Sequence, residues 1–344
     1  MPATFLRSAG VDLPVLAAPM AGGPGTPALV TAAAGAGSMG FVAGGYKTAQ
    51  ALADEIAAVE AAAVPFGVNL FAPNPVPVDV EAFRRYAALI EPEAERYGET
   101  VEGTTPTEDD DRWHEKLDVL RAHPVPVVSF TFGIPGHDDL AALRATGAAL
   151  VQTVTTPDEA RQAAEAGVDA LAVQAAAAGG HSGTLSPTRP IAGTPITELV
   201  ASVRAAVGLP VIAAGGLATP EDVAAVVAAG ADAVAVGTVL LRSDEAGTSA
   251  THKAALADPA RTETVLTHAF TGRPARGIRN EFIDDYGGVA PFGYPALHFL
   301  TTGMRKAAAA AGDPERVHLW AGTGFRHATE EPAAAILTRL ASAL

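Results

Sequence analysis

Residues 155–173 read TTPDEARQAAEAGVDALAV, and residues 218–236 read ATPEDVAAVVAAGADAVAV. The two stretches are versions of one unit. Each carries a Thr-Pro pair at its start, Thr156-Pro157 and Thr219-Pro220. A Thr hydroxyl caps the first turn of a helix, and Pro suits the first helical position because its missing N–H would have no partner there. Acidic residues follow at once, Asp158-Glu159 and Glu221-Asp222, where they complement the positive helix end. Each helix then runs into an Ala-Gly turn and a short apolar run. Such a run, bounded by turns, predicts a strand covered on both faces, as in a parallel sheet. The unit is helix, turn, buried strand. Its repetition favours a closed barrel over an open doubly wound sheet, without by itself closing the ring.

The same rhythm continues on both sides of the repeat. Strands are expected at 15–20, 39–43, 66–71, 125–132, 149–154, 170–174, 210–215 and 233–238. Helices lie between them, for example at 48–63, 157–166 and 220–229. The chain has 344 residues, and a barrel of this kind needs about 250. Two segments break the rhythm. Residues 72–123 hold a polar, acidic stretch at 99–112, read as helices with one exposed loop. Residues 262–326 are rich in Gly, Pro and aromatics and read as a cap over the barrel mouth. The expected fold is α/β, a (β/α)8 TIM barrel over residues 1–260 with an insertion at 72–123. A smaller C-terminal lobe at 262–326 and a closing helix within 327–344 complete it.

Composition narrows the function. The formal net charge of -15 disfavours nucleic acid and anionic membranes as partners. There is no cysteine, so disulfides, thiolate metal sites, Fe–S clusters and Cys nucleophiles are excluded. No HExxH or other ligand-spaced His and carboxylate pattern appears, so no metal is expected. The N-terminus has no continuous apolar core of a signal peptide, and the most apolar stretch is broken by Gly230, Asp232 and Gly237. The expectation is a cytoplasmic enzyme. Nothing in the chain marks an oligomeric state.

Barrel enzymes build their sites at the carboxyl ends of strands. Those ends single out few residues. The last two strands end in Gly215-Gly216 and Gly237-Thr238, the usual place of a phosphate cradle in this fold. The sixth strand ends at Gln174 and runs into Ala178-Gly179-Gly180-His181-Ser182-Gly183. An imidazole with an ordinary pKa near 6.5, held among glycines at that rim, is a candidate to take or give a proton. Asn69 and Gln174 are strand-end amides that can pair with the donor and acceptor edge of a flavin without adding charge. The first strand ends Ala18-Pro19-Met20. GAGSMG at 35–40 fits GxGxxG but follows a helix and precedes a strand, the reverse of the dinucleotide fingerprint. His114, His123, His137, His252, His268 and His327 have no distinguishing context and are read as exposed.

These residues resemble the nitronate monooxygenase family. The likeness lies in APMAGG at Ala18, FGVNLF at Phe66, VSFTFGIP at Val128 and VQAAAAGGHSGT at Val173. It continues in AAGGL at Ala213, AVGT at Ala235 and GRPARGIRN at Gly272. The resemblance implies a TIM barrel holding FMN, and oxidation of alkyl nitronates by O2 to a carbonyl compound and nitrite. It makes His181 the catalytic residue. It places Ala18, Pro19, Met20, Asn69, Gln174, Gly179, Gly180, Gly215, Gly216, Gly237 and Thr238 at the flavin. Met20, Phe132, His298 and Phe299 would face a small nitronate or nitroalkane. Ala175, Ala177, Thr323 and the segment around Phe299 depart from the family pattern, which bears on substrate choice. The alternatives are an FMN-dependent NAD(P)H enoyl-ACP or quinone reductase on the same barrel, and a non-catalytic flavin- or phosphate-binding barrel. A barrel resembling inosine-monophosphate dehydrogenase is set aside, because it requires a Cys.

Overall fold

The structure, a computed structural model, describes residues 4–101 and 105–344. Its strands are β1 (Val15–Ala17), β2 (Gly40–Ala43), β3 (Phe66–Ala72), β4 (Val127–Phe132), β5 (Ala149–Val154), β6 (Ala170–Gln174), β7 (Gly180–His181), β8 (Val211–Ala214), β9 (Ala233–Val236), β10 (Thr264–Thr267) and β11 (Ala275–Ile278). Eight of them form a closed barrel in the order β1-β2-β3-β4-β5-β6-β8-β9. All barrel pairings are parallel, and β9 closes the ring on β1 through Val234 opposite Val15. The eight expected strands are thus the barrel strands. Several are shorter than expected, because their last residues leave the ladder and turn into loops at the rim.

The repeated unit explains part of the closure. Thr156 and Thr219 accept the N–H of Glu159 and Asp222, and Asp222 returns the bond to Thr219 as a full capping box. One residue ahead of each strand stands an aspartate. Asp169 accepts the N–H of Leu150 on β5 at 2.8 Å, and Asp232 accepts that of Val211 on β8 at 2.9 Å. Each carboxylate therefore ties its own strand to the preceding barrel strand. GAGSMG behaves as its context requires: Gly35 ends the helix Pro27–Gly35 and Gly40 begins β2.

Side chains alternate along each strand. Outward residues such as Val68, Leu70, Leu171 and Val173 pack under the helices in one large core. Inward residues at the amino ends, Leu16, Phe41, Val127 and Ile212, form a separate apolar plug with Leu6 of the first helix. Further up the inward positions become polar: Asn69, Ser129, Thr131, Thr153 and Gln174. The barrel floor is sealed and its mouth is built to meet a ligand.

The mouth is roofed by one unit drawn from two distant segments. Phe83, Tyr86 and Ile90 of the helix Val80–Glu95 share a core with Phe270, Phe282, Leu297 and Met304. Arg316, 4% exposed, forms an ion pair with Glu93 at 2.7 Å. Neither segment has enough apolar surface to form a core alone, so they pack together. A three-stranded sheet, β10-β11-β7, joins this roof to the loop after β6. The helix Ala333–Leu340 then returns to the barrel wall with Ile336, Leu337 and Leu340 buried. Among the described residues no helix is long and apolar enough to cross a membrane.

Candidate active site

A cavity of about 1900 Å³ opens at the carboxyl ends of the strands, beneath the roof. Every site residue singled out in the sequence lines it. From the first strand these are Ala18, Pro19 and Met20, and from the middle strands Asn69, Phe132 and Gln174. From the sixth rim come Gly179, Gly180 and His181, and from the last two strands Gly215, Gly216, Gly237 and Thr238. His298 and Phe299 line it from the roof.

The two glycine-containing strand ends are neighbours, since β8 and β9 pair directly. Among the described residues, the N–H groups of Gly215, Gly216, Gly237 and Thr238 donate to no backbone carbonyl outside the regular elements. Gly215 and Gly216 have φ of +108° and +81°, where a side chain would be strained. A Cβ on Gly215 would also meet the Ala175 carbonyl at 2.9 Å. The Thr238 hydroxyl accepts the N–H of Gly322 at 2.9 Å, which draws the segment around Trp320 onto the same rim. Backbone donors left without a carbonyl on two adjacent strand ends suit a phosphate, so the residues present fit a phosphorylated cofactor. Two departures from the family pattern meet beside them. The N–H of Thr323 donates to the Ala177 carbonyl at 3.1 Å, and both residues border Gly216.

His181 does not sit on a free loop. It pairs with Ala275 as part of β7, an element too short to read from periodicity. Gln174 holds the same turn from below: its Nε2 donates to the His181 carbonyl at 3.2 Å, and its Oε1 accepts from Gly183 at 2.7 Å. Both ends of that amide are thus engaged by the histidine loop. Asn69 Nδ2 donates to the Ser129 hydroxyl at 2.9 Å and the Thr131 hydroxyl at 3.1 Å. The imidazole is ringed by the edges of Phe132, Tyr294 and Trp320 at 5.7, 5.8 and 5.6 Å between centroids. Burial pushes its pKa down to about 3, with Arg273 and Arg305 adding to the effect. In place of the ordinary value near 6.5 expected from the sequence, the surroundings of His181 favour its neutral form.

Two buried arginines flank this site, and neither forms an ion pair with a carboxylate among the described residues. Arg273, 0% exposed, donates to the carbonyls of Asn74, Ser182 and Thr184 and lies over the Phe132 ring. Arg305, 5% exposed, donates to the Thr301 and Thr302 hydroxyls at 2.9 Å each and to the His298 carbonyl at 3.0 Å. Burial lowers both guanidinium pKa values only to about 10, so both stay charged. His298 stacks flat on Tyr46 with centroids 4.0 Å apart, and Tyr46 reaches Tyr294 through a 3.3 Å hydroxyl contact. Burial and Arg305 hold His298 well below its usual pKa, and burial pushes Tyr46 up to about 12. Arg305 thus lines the inner cavity with no carboxylate paired to it, while Arg273 stands behind the Phe132 ring with Glu159 offsetting part of its charge, and the carboxylates of residues 108–111 lie at the mouth. A buried cation so placed favours a small anion.

Several of these residues escaped the sequence reading. Arg273 lies within the GRPARGIRN stretch, but nothing local marks it as buried. Arg305 could have been found by helical spacing, because His298, Thr302 and Arg305 share a face of the helix Ala296–Ala311. Tyr46, Thr271, Tyr294, His318 and Trp320 carry no local signal. Three histidines read as exposed are not, His123 being partly covered beside Glu60. His252 is buried against the segment around Trp320, and burial lowers its pKa to about 4. His268 is half-buried, stacked on Phe292, with Nε2 donating to the Ala290 carbonyl at 2.8 Å. The acidic stretch is largely exposed at residues 105–112, as expected, and it has a further place in the site. Residues 105–112 line the cavity mouth, because buried Lys116 draws in Asp111 at 2.6 Å and Asp111 accepts the Tyr46 N–H at 2.9 Å. Residues 102–104 of that stretch lie outside the described residues. No group of residues that could hold a metal occurs among the described residues.

Fold and site together define a barrel enzyme that acts on a small ligand at the carboxyl ends of its strands. A family profile described as nitronate monooxygenase matches residues 6–342. The chain belongs to the nitronate monooxygenase family, and with it to the oxidoreductases that act on nitro compounds. A probable nitronate monooxygenase of Staphylococcus aureus (strain Newman) is 36% identical over 337 residues, covering 96% of this chain and 94% of the relative. Among solved structures, nitroalkane oxidase from Streptomyces ansochromogenes superposes with a TM-score of 0.90 at 44% identity, covering 98% of this chain and 96% of its own. FabK from Thermotoga maritima gives a TM-score of 0.75 at 26% identity, covering 99% of this chain and 95% of its own.

Proposed function

We propose that this protein is an FMN-dependent, cytoplasmic enzyme that oxidises alkyl nitronates with O2 to a carbonyl compound and nitrite. The observation that carries the reading is the buried guanidinium of Arg305, which lines the cavity with no carboxylate partner and acts on His181 together with Arg273 behind the Phe132 ring. A nitronate is a small anion with an apolar tail. The cations would stabilise its charge, while Met20, Phe132 and Phe299 would take the tail. Because burial favours the neutral form of His181, the substrate's charge would be met chiefly by Arg305, and His181 would orient the substrate or accept a proton.

The cofactor would be held by its phosphate on the N–H groups of Gly215, Gly216, Gly237 and Thr238. Ala18, Pro19, Met20, Asn69, Gln174, Gly179 and Gly180 would surround its ring. When bound, FMN supplies the redox chemistry, and the protein supplies position and electric field. Burial of the Arg305 guanidinium under the roof would strengthen its pull on the substrate anion. The NAD(P)H-dependent reductase is the second reading, and the large cavity has room for a second ligand beside the cofactor.

The test is one preparation and two additions. The purified protein should be yellow and release FMN on denaturation. Propionate 3-nitronate in air should then give nitrite, whereas NADH without oxygen should leave the flavin colour unchanged. Rapid bleaching by NADH with no nitrite from the nitronate selects the reductase. Flavin binding with neither response selects a non-catalytic barrel.

A further inference from the structure

We infer that Thr271 is a positioning residue: its hydroxyl holds His181 as the Nε2–H tautomer and so presents Nδ1 as the acceptor for a proton from a neutral nitroalkane. The inference rests on the reading of the cavity as a site for nitro compounds, and it names the residue that sets which ring nitrogen of His181 is free.

The geometry is a proton count. Thr271 Oγ1 lies 2.9 Å from His181 Nε2 and 3.2 Å from the Arg273 carbonyl oxygen. A carbonyl only accepts, and a hydroxyl has one proton to give. Given to the Arg273 carbonyl, that proton leaves only lone pairs of Oγ1 facing the imidazole, and Nε2 then carries the hydrogen. A neutral imidazole has one N–H, which leaves the lone pair on Nδ1. Among the described residues, no group hydrogen-bonds to Nδ1.

Thr271 is itself held in place. It is 1% exposed. The N–H groups of Thr271 and Gly272 both donate to the His268 carbonyl, at 3.3 and 2.7 Å. Gly272 has φ of +73°, and a Cβ there would strike the Gly293 backbone at 2.5 Å. The turn is packed against a second turn and has no room to slide. Phe132, Tyr294 and Trp320 meanwhile crowd the imidazole and oppose its rotation.

In the step that follows, the Cα–H bond of a nitroalkane breaks and its proton goes to Nδ1. The electron pair moves into the nitro group, whose oxygens carry the negative charge of the resulting nitronate. The imidazolium keeps its Nε2–H on Thr271, and the new anion beside it offsets the burial and the guanidinium charges that otherwise hold the ring neutral. Nothing is oxidised in this step. A nitronate supplied from solution has no need of it, so the two substrates report on different parts of the site.

The test uses the FMN-loaded protein, with nitroethane and ethyl nitronate as separate substrates. Thr271→Val should lower kcat/KM for nitroethane by about 10²-fold, the range of a lost general base. Turnover of ethyl nitronate should stay within about threefold, under 1 kcal/mol of barrier. Thr271→Ser should restore nitroethane turnover, and Thr271→Ala serves the same comparison if the Val variant does not fold. Ring-nitrogen NMR of histidine-labelled protein should show His181 of the unsubstituted protein protonated at Nε2 alone, with that preference lost in the Val variant. Equal losses on both substrates, an unchanged nitroethane rate, or an Nδ1–H tautomer in the unsubstituted protein would each overturn the inference. If neither substrate turns over, the nitro-compound reading fails, and the NMR comparison alone still upholds or overturns the role of Thr271.

Discussion

The guanidinium of Arg273 lies 4.0 Å above the ring of Phe132, whose backbone is held at φ of +82°. A bulky residue in that region is strained, and it persists only where its surroundings hold it. Here they do. Asn74 donates to the Phe132 carbonyl at 2.8 Å, and Arg273 donates to the Asn74 carbonyl at 3.3 Å. One arginine therefore fixes the ring that faces His181, the loop after β3 and the loop that carries His181.

Replacing Arg273 with Met should therefore damage the fold as well as the site. It would leave the carbonyls of Asn74, Ser182 and Thr184 without this donor. Each unsatisfied buried acceptor costs about 1–3 kcal/mol. The expected loss is on the order of 3 kcal/mol or more, read as a lower urea midpoint. Stability equal to that of the unsubstituted protein would show that Arg273 is not the clasp described here.

His181→Asn should keep the fold and the bound flavin, because Gln174 and Ala275 hold the backbone of residue 181 and not its ring. Nitroalkane turnover should fall by about 10²-fold or more. Nitrite release with unaltered flavin content is the measurement. Undiminished nitrite formation would remove the imidazole from the chemistry.

Gly215→Ala tests the cradle. The new Cβ would sit at a left-handed φ and press on the Ala175 carbonyl and the Ala178 N–H at about 3 Å. The rim must shift, and with it the donors facing a phosphate. Flavin content after purification should drop at least about tenfold, equivalent to about 1.4 kcal/mol of binding. Full flavin retention would place the phosphate elsewhere.

The buried histidines make the fold acid-labile within a definite window. His181 and His252 titrate near about 3 and about 4 in the fold, below the ordinary value of 6.5. Between those values and 6.5 the unfolded chain binds more protons than the native one, so stability is lost as pH falls through that range. The slope is about 1.4 kcal/mol per pH unit for each proton of difference. Asp111 opposes this. Burial raises it from 3.8 to about 6, so its share of stability declines as pH rises through that interval. Two histidines outweigh one carboxylate, and the melting temperature should climb from pH 4 to 6.5. A flat or falling melting profile across that interval would contradict the depressed histidines.

What the sequence determined was local and periodic. Thr-Pro caps, Ala-Gly turns and short apolar strands are set by backbone sterics and side-chain spacing within a few residues. The barrel, the place of the glycine pairs at the last two strand ends and the misleading order of GAGSMG could be read for that reason. Asn69, Gln174 and His181 could be placed at the rim because strand ends are part of the same rhythm. The tertiary structure decided what these residues are chemically. His181 meets Thr271 across 90 residues of sequence, and Arg273 and Arg305 reach it from the roof. Charge state, tautomer and burial are sums over neighbours that only folding assembles. The roof itself, with Tyr86 bonded to the Ala269 carbonyl at 2.7 Å, exists because two segments too small to bury their own apolar faces cover each other.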